Sequence, residues 1–123
     1  MSLSELLFGG NCMLGGQLVT AFAYADHHVA RTCRGTSPVD ETAEFITVDR
    51  GSADALKPLA GRSWDVAIDL TSHPGFVRDA LGTVGAAHWI YISSASVYTR
   101  GDIFEPDETA PIHPAMADDK LED

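Results

Sequence analysis

The chain has 123 residues, the size of one domain, and such a domain buries roughly two-thirds of its unfolded surface. Its 45% apolar content and near-zero mean hydropathy fit a globular fold and not a disordered chain. Against 18 Asp and Glu there are 8 Lys and Arg, a net charge of −10. This excess argues against nucleic acid and anionic membrane as partners, because both demand a positive footprint. It is unevenly spread: residues 1–100 hold 10 acids and 7 bases, and residues 101–123 hold 8 acids and one base. The body is therefore close to neutral.

Cys12 and Cys33 form neither a disulfide framework nor a metal knuckle, so a reducing cytoplasmic setting is expected. The segment Met1 to Ala25 has the small residues of a secretory leader but lacks a basic start, carries Glu5 and is interrupted by glycines. No apolar run approaches the ~20 residues that span a bilayer. His27, His28, His73, His88 and His113 lack metal-ligand spacing, so no metal site is expected.

In chain order, Glu5 to Phe8 reads as a short buried strand ending in Gly9-Gly10. Leu14, Leu18, Ala21, Phe22 and Ala25 recur at helical spacing and predict one face of a helix. Val29–Cys33 and Glu44–Val48 read as the second and third strands. Ser52 is a plausible cap for a short helix over Ala53 to Leu59, weakened by Pro58. Trp64–Leu70 is a fourth strand, Pro74 opens a second helix reaching toward Gly85, and His88–Ser93 is a fifth strand. From Gly101 onward no period survives and the segment reads as an acidic, Pro-containing loop. Strand–helix alternation with short connections implies βαβ units, and right-handed crossovers then give a doubly wound parallel sheet. The fold class is thus α/β and Rossmann-like, with about five strands in the order 3-2-1-4-5 and the fifth left as an edge open to self-association.

The glycines after the first strand sit where backbone amides at a helix N-terminus receive phosphate oxygens. A P-loop would need Lys at Gly16 and Ser or Thr at Gln17. A dinucleotide fingerprint fits the position better, with Gly9 and Gly15 in register and Cys12 where the middle glycine belongs. A tight turn that binds nothing is the other reading of the same residues.

The stretch FGGNCMLGGQLVTAFAYADHHVARTCRG resembles the nucleotide-binding segment of the extended and atypical short-chain dehydrogenase/reductases, the NAD-dependent epimerase/dehydratase group. The resemblance continues through WDVAIDLTSHPGFVRDAL and YISSASVY to the loop FEPDETAPIHP, covering about residues 5–123. It implies a dinucleotide-binding domain over 1–100, a loop or tail over 101–123, and a C-terminal substrate region that lies outside this sequence. By this likeness Gly9, Asn11, Cys12, Met13, Leu14 and Gly15 cradle the cofactor pyrophosphate. Cys12 departs from the pattern, because its side chain projects where the family leaves only hydrogen, which pushes the diphosphate outward or weakens its binding.

At the end of the second strand an acid binds the ribose 2′-OH of NAD, whereas an Arg accommodates the 2′-phosphate of NADP. Here Arg34 follows Cys33 and no acid occurs until Asp40, so NADP is expected, with NAD as the alternative. Asp49 and the amide of Arg50 match the family's adenine-recognising pair, and turn capping is the other role open to Asp49. Leu70, Thr71 and Ser72 match the residues beside the cofactor ribose, and Ser93 lies at the fifth strand's end. In ISSASVY the family's catalytic serine corresponds to Ser94, four residues before Tyr98; it would hydrogen-bond the substrate oxygen undergoing oxidation.

The family's acid/base pair, a Tyr with Lys four residues later, has no match at Tyr24, Tyr91 or Tyr98. Either Met116 to Lys120 is the aligned motif with Met replacing Tyr, or the Tyr falls beyond Asp123. We favour the second, and in both cases the chain itself is expected not to turn over. The parent function implied is hydride transfer on a nucleotide sugar or similar carbonyl compound, and a non-catalytic dinucleotide-binding module is the competing class.

Overall fold

The computed structural model describes residues 2–9, 13–33, 43–71, 73–93, 98–99 and 107–114. In chain order these form β1 (Ser4–Phe8), α1 (Met13–Tyr24), β2 (His28–Cys33), β3 (Glu44–Thr47), a 3-10 turn (Lys57–Leu59), β4 (Ser63–Asp69), α2 (Pro74–Thr83) and β5 (Gly85–Tyr91). The strands make one parallel sheet in the order β3-β2-β1-β4-β5, as the right-handed crossover argument predicts.

Parallel strands covered on both faces need apolar residues in both directions. Leu6, Leu7 and Phe8 at the centre of β1 are all buried accordingly. Leu7, Val29 and Ile68 pack under α1 with Val19, Leu18 and Phe22. On the other face Leu6, Phe8, Ala30 and Ala67 meet Val48, Leu56 and Leu59 of the β3–β4 crossover, together with Ala80 and Val84 of the α2 region. Helical cover on opposite faces makes the sheet doubly wound. Among the described residues β5 is an edge strand, and most of its positions are exposed.

Four details differ from the sequence expectations. The buried stripe of α1 runs through Gly15, Leu18, Val19 and Phe22, whereas Leu14 and Ala21 face solvent; the small Gly15 is buried where Leu14 was expected to be. No α-helix covers Ala53 to Leu59. Asp54 takes a left-handed conformation (φ 56°), which breaks the helical path, and only a single 3-10 turn, with Pro58 in it, follows at Lys57–Leu59. Ser52 therefore caps no helix; Leu56 is the N-cap, with no side-chain hydrogen bond. The second helix stops at Thr83, and β5 then starts at Gly85 and ends at Tyr91, three residues before and two before the expected limits respectively. Gly85-Ala86-Ala87 carries no β-branched signal, so its strand character comes from pairing with Ser63 and Trp64 of β4. No helix among the described residues is long and apolar enough to cross a membrane.

Candidate functional site

In an open parallel sheet, ligands bind beyond the carboxyl ends of the strands where the winding direction reverses. Here that switch point lies between β1 and β4, the two strands from which the chain departs toward opposite edges. The register aligns Phe8 with both Thr32 and Asp69, and Asp69 with Tyr91, so four strand ends open on one crevice.

Gly9 makes the turn out of β1 with φ +92°, a conformation that L side chains rarely adopt. A Cβ at this position would lie 3.2 Å from the Leu70 Cβ, so the glycine also permits the two strand ends to approach. The Leu70 N–H donates to the Phe8 carbonyl at 3.3 Å and closes this contact. α1 then begins at Met13, and its first turn contains no acidic residue to repel an anion. Leu14 is exposed and Gly15 is buried at that turn. Asn11 and Cys12 lie outside the described residues.

Around the β4 end several polar groups bond to one another. The Thr71 N–H donates to Asp69 Oδ1 at 3.0 Å, and Thr71 Oγ1 accepts the His73 N–H at 3.2 Å. From β5, the Tyr91 hydroxyl donates to the Thr71 carbonyl at 2.9 Å. Ser93 is exposed beyond β5, whereas Ser72 and Ser94 lie outside the described residues. Arg34 does too, although Cys33, which precedes it, pairs with Thr47 at the sheet's upper rim.

Past β3, Asp49 is exposed and its Oδ1 accepts the Gly51 N–H at 3.1 Å, which is the turn-capping role the sequence left open. The other carboxylate oxygen is not tied by that cap. The Arg50 side chain turns inward instead of toward the crevice mouth. Its Nη1 and Nη2 donate to Asp69 Oδ1 and Oδ2 at 2.8 Å each, and Nη2 also donates to the Phe76 carbonyl. The guanidinium lies 4.4 Å from the Phe8 ring centroid and 5.2 Å from that of Phe76. Asp69 is 1% exposed, so its charge is satisfied entirely from within. The turn after Arg50 and the start of α2 frame a groove of about 380 Å³, lined in part by Ser52, Lys57 and Asp79.

Sequence reasoning missed the role of Asp69. A carboxylate directly after the apolar run Val66-Ala67-Ile68 was the available signal, because a charge there demands an internal partner. At the opposite end of the sheet, Arg62 forks onto Glu44 at 2.9 and 3.0 Å and holds its carboxyl below the usual range, with His28 adding a second contact. That cluster lies far from the crevice. Among the described residues no group of His, Cys, Asp or Glu is arranged to hold a metal ion.

The residues present fit a dinucleotide. A glycine without side chain at the switch point, a helix start free of acids, and strand-end hydroxyls at Thr71 and Ser93 provide the donors that a pyrophosphate and a ribose require.

No protein-family model matches the chain, and neither does any curated protein. Solved structures do. UDP-galactose 4-epimerase superposes with a TM-score of 0.72 at 20% identity, over 90% of this chain and 45% of that protein. UDP-N-acetylglucosamine 4-epimerase from Bacillus cereus gives 0.70 at 17% identity, over 92% and 44%. An NAD-dependent NDP-hexosamine 5,6-dehydratase involved in tunicamycin biosynthesis gives 0.64 at 19% identity, over 92% and 44%. The chain spans less than half the length of each of these three. These neighbours are epimerases and a dehydratase, the group that the sequence resembles, and what the chain shares with them is a Rossmann-like α/β fold.

Proposed function

We propose that this chain is the dinucleotide-binding portion of a protein of the NAD-dependent epimerase/dehydratase group. The observation that carries the reading is the closed turn at the switch point, where Gly9 at φ +92° packs against Leu70 immediately before the acid-free start of α1. Gly9 and residues 11–15 hold the pyrophosphate, Asp49 and the Arg50 amide the adenine, and Leu70 to Ser72 with Ser93 the ribose and nicotinamide side. Arg34 receives the 2′-phosphate, which makes NADP the preferred cofactor and NAD the alternative. The nicotinamide supplies hydride exchange with a nucleotide sugar or a similar carbonyl compound, and Ser94 hydrogen-bonds the reacting oxygen. Residues 1–100 bind the dinucleotide, and 101–123 are an acidic, Pro-containing loop or tail. The setting is a reducing cytoplasm.

The 123-residue chain alone is inactive in this reading, because none of its tyrosines has a lysine four residues later. The same observation, with Cys12 in the glycine turn, also favours a second reading, a non-catalytic dinucleotide-binding module. Calorimetric titration of the chain with NADPH and NADH tests the common claim: saturable binding of one dinucleotide per chain is expected, tighter for NADPH. Absence of binding by both sinks it. Dinucleotide binding by a full-length protein that exchanges no hydride with any nucleotide sugar selects the module.

A further inference from the structure

We propose that Arg50 is the positioning residue of the dinucleotide crevice: its guanidinium sets the spacing of the strand ends that the cofactor must span. The proposal rests on the dinucleotide-binding reading above. Arg50 itself stands two residues beyond Val48, at the exit of β3. Its guanidinium carbon lies over the ring of Phe8, 4.4 Å from the centroid; Phe8 is the last residue of β1 before the Gly9 turn. Its fork closes on Asp69, the last residue of β4, and Asp69 Oδ1 also receives the Thr71 N–H. Its Nη2 reaches the Phe76 carbonyl in the first turn of α2. One side chain, leaving the exit of β3, thereby touches two of the strand ends that open on the crevice, those of β1 and β4, as well as the helix that follows β4.

Stability is a poor reason for this arrangement. A buried ion pair gains little over well-packed apolar side chains of similar volume, since both charges must first leave water. What the fork adds is geometry. A planar bidentate contact fixes distance and angle together, and the cation–π contact with Phe8 adds a second anchor; a lysine ammonium cannot make the bidentate contact. Because Asp69 Oδ1 is shared between Arg50 and the Thr71 amide, displacing the guanidinium unanchors the carboxylate on which the Thr71 amide rests.

The test compares NADPH affinity, by fluorescence titration, with thermal melting in three variants. The double variant Arg50→Met/Asp69→Leu is expected to melt close to wild type and yet bind NADPH about tenfold or more weakly, the scale expected when binding groups are misplaced by a fraction of an ångström to 1 Å. Arg50→Lys, which keeps the charge and loses the fork, is expected to lose affinity in the same direction. Millimolar guanidinium is expected to restore affinity to Arg50→Ala, whose slot it can fill, and not to the double variant. Should the double variant fail to fold, Arg50→Lys and the guanidinium rescue decide the matter. Wild-type affinity in the double or the Lys variant overturns the proposal while leaving dinucleotide binding intact. So does an affinity loss that vanishes at temperatures where the variants are fully folded. A wild-type chain that binds neither NADPH nor NADH overturns both readings together.

Discussion

Replacing Gly9 with alanine isolates the turn on which the crevice depends. The backbone there has φ +92°, and holding an L residue in left-handed territory costs about 1–2 kcal/mol. The added Cβ meets the Leu70 Cβ at 3.2 Å, so Leu70 must yield by a few tenths of an ångström. Leu70 resists that shift because its N–H is bonded to the Phe8 carbonyl. Against these terms stands a gain of about 0.4–1 kcal/mol from the stiffer unfolded chain. The net expectation is a loss of about 1–2 kcal/mol, which lowers the melting midpoint by roughly 4–8 °C in a domain of this size. Urea denaturation with an unchanged slope would show a change in stability without a change in the surface exposed on unfolding. Gly16→Ala is the internal control. Gly16 lies inside α1 with open space where its Cβ would sit, so the same chemical change there should stabilise by about 0.5–1 kcal/mol. Equal responses at the two glycines, or a Gly9→Ala chain as stable as wild type, would refute the reasoning.

Three further outcomes are expected. Glu5 is 5% exposed with Oε2 unpartnered, and burial pushes its carboxyl up from 4.5, with His27 opposing. The folded state holds that proton more tightly, so the Glu5 contribution is complete below the ordinary value and is lost as pH rises through the higher folded one. Glu5→Gln should therefore be more stable than wild type at neutral pH by about 1 kcal/mol, with the two denaturation curves converging in acid; a constant difference at all pH values would contradict this. Arg34→Ala should weaken NADPH about tenfold or more and leave NADH nearly unchanged, on the scale of one lost charge-assisted contact; equal losses for both cofactors would dismiss its 2′-phosphate role. The β5 edge, with Leu81, Ile90 and Ile92 exposed nearby, should make the chain self-associate, and Ile90→Lys should lower the weight-average mass in sedimentation equilibrium. A wild-type chain that remains monomeric at every concentration would remove this expectation.

The sheet order was legible because short buried runs alternating with helical spacing leave few allowed topologies. Boundaries were less so. Gly85 to Ala87 joins β5 through its partner strand and not through its own propensity, and Asp54 ends a promising helical period by one backbone torsion. The α1 face was misread because Gly15, with no side chain to mark it, occupies the buried position that the spacing assigned to Leu14. Gly9, Leu70 and Thr71 lie just past the ends of β1 and β4, where the apolar runs of those strands stop. The Arg50–Asp69 pair escaped notice because its partners are 19 residues apart and their strands are separated in the sheet by β1 and β2. Only the path of the chain across one sheet face brings them together. Asp65 and Asp69 share a strand face by period, yet Asp65 is exposed on the Ser4 amide and hydroxyl while Asp69 is sealed under Arg50. Period alone does not report that difference.

The central claim, that a dinucleotide lies across the switch point between β1 and β4, is tested most directly by following backbone amide resonances during titration with NADPH. Shifts are expected at Gly9, at residues 13–15, at Asp49 and Arg50, at Leu70 and Thr71, and at Ser93. No saturable shift anywhere, or shifts confined to the groove formed by Ser2, Thr20, Tyr24 and His28 at the far end of the sheet, would contradict it.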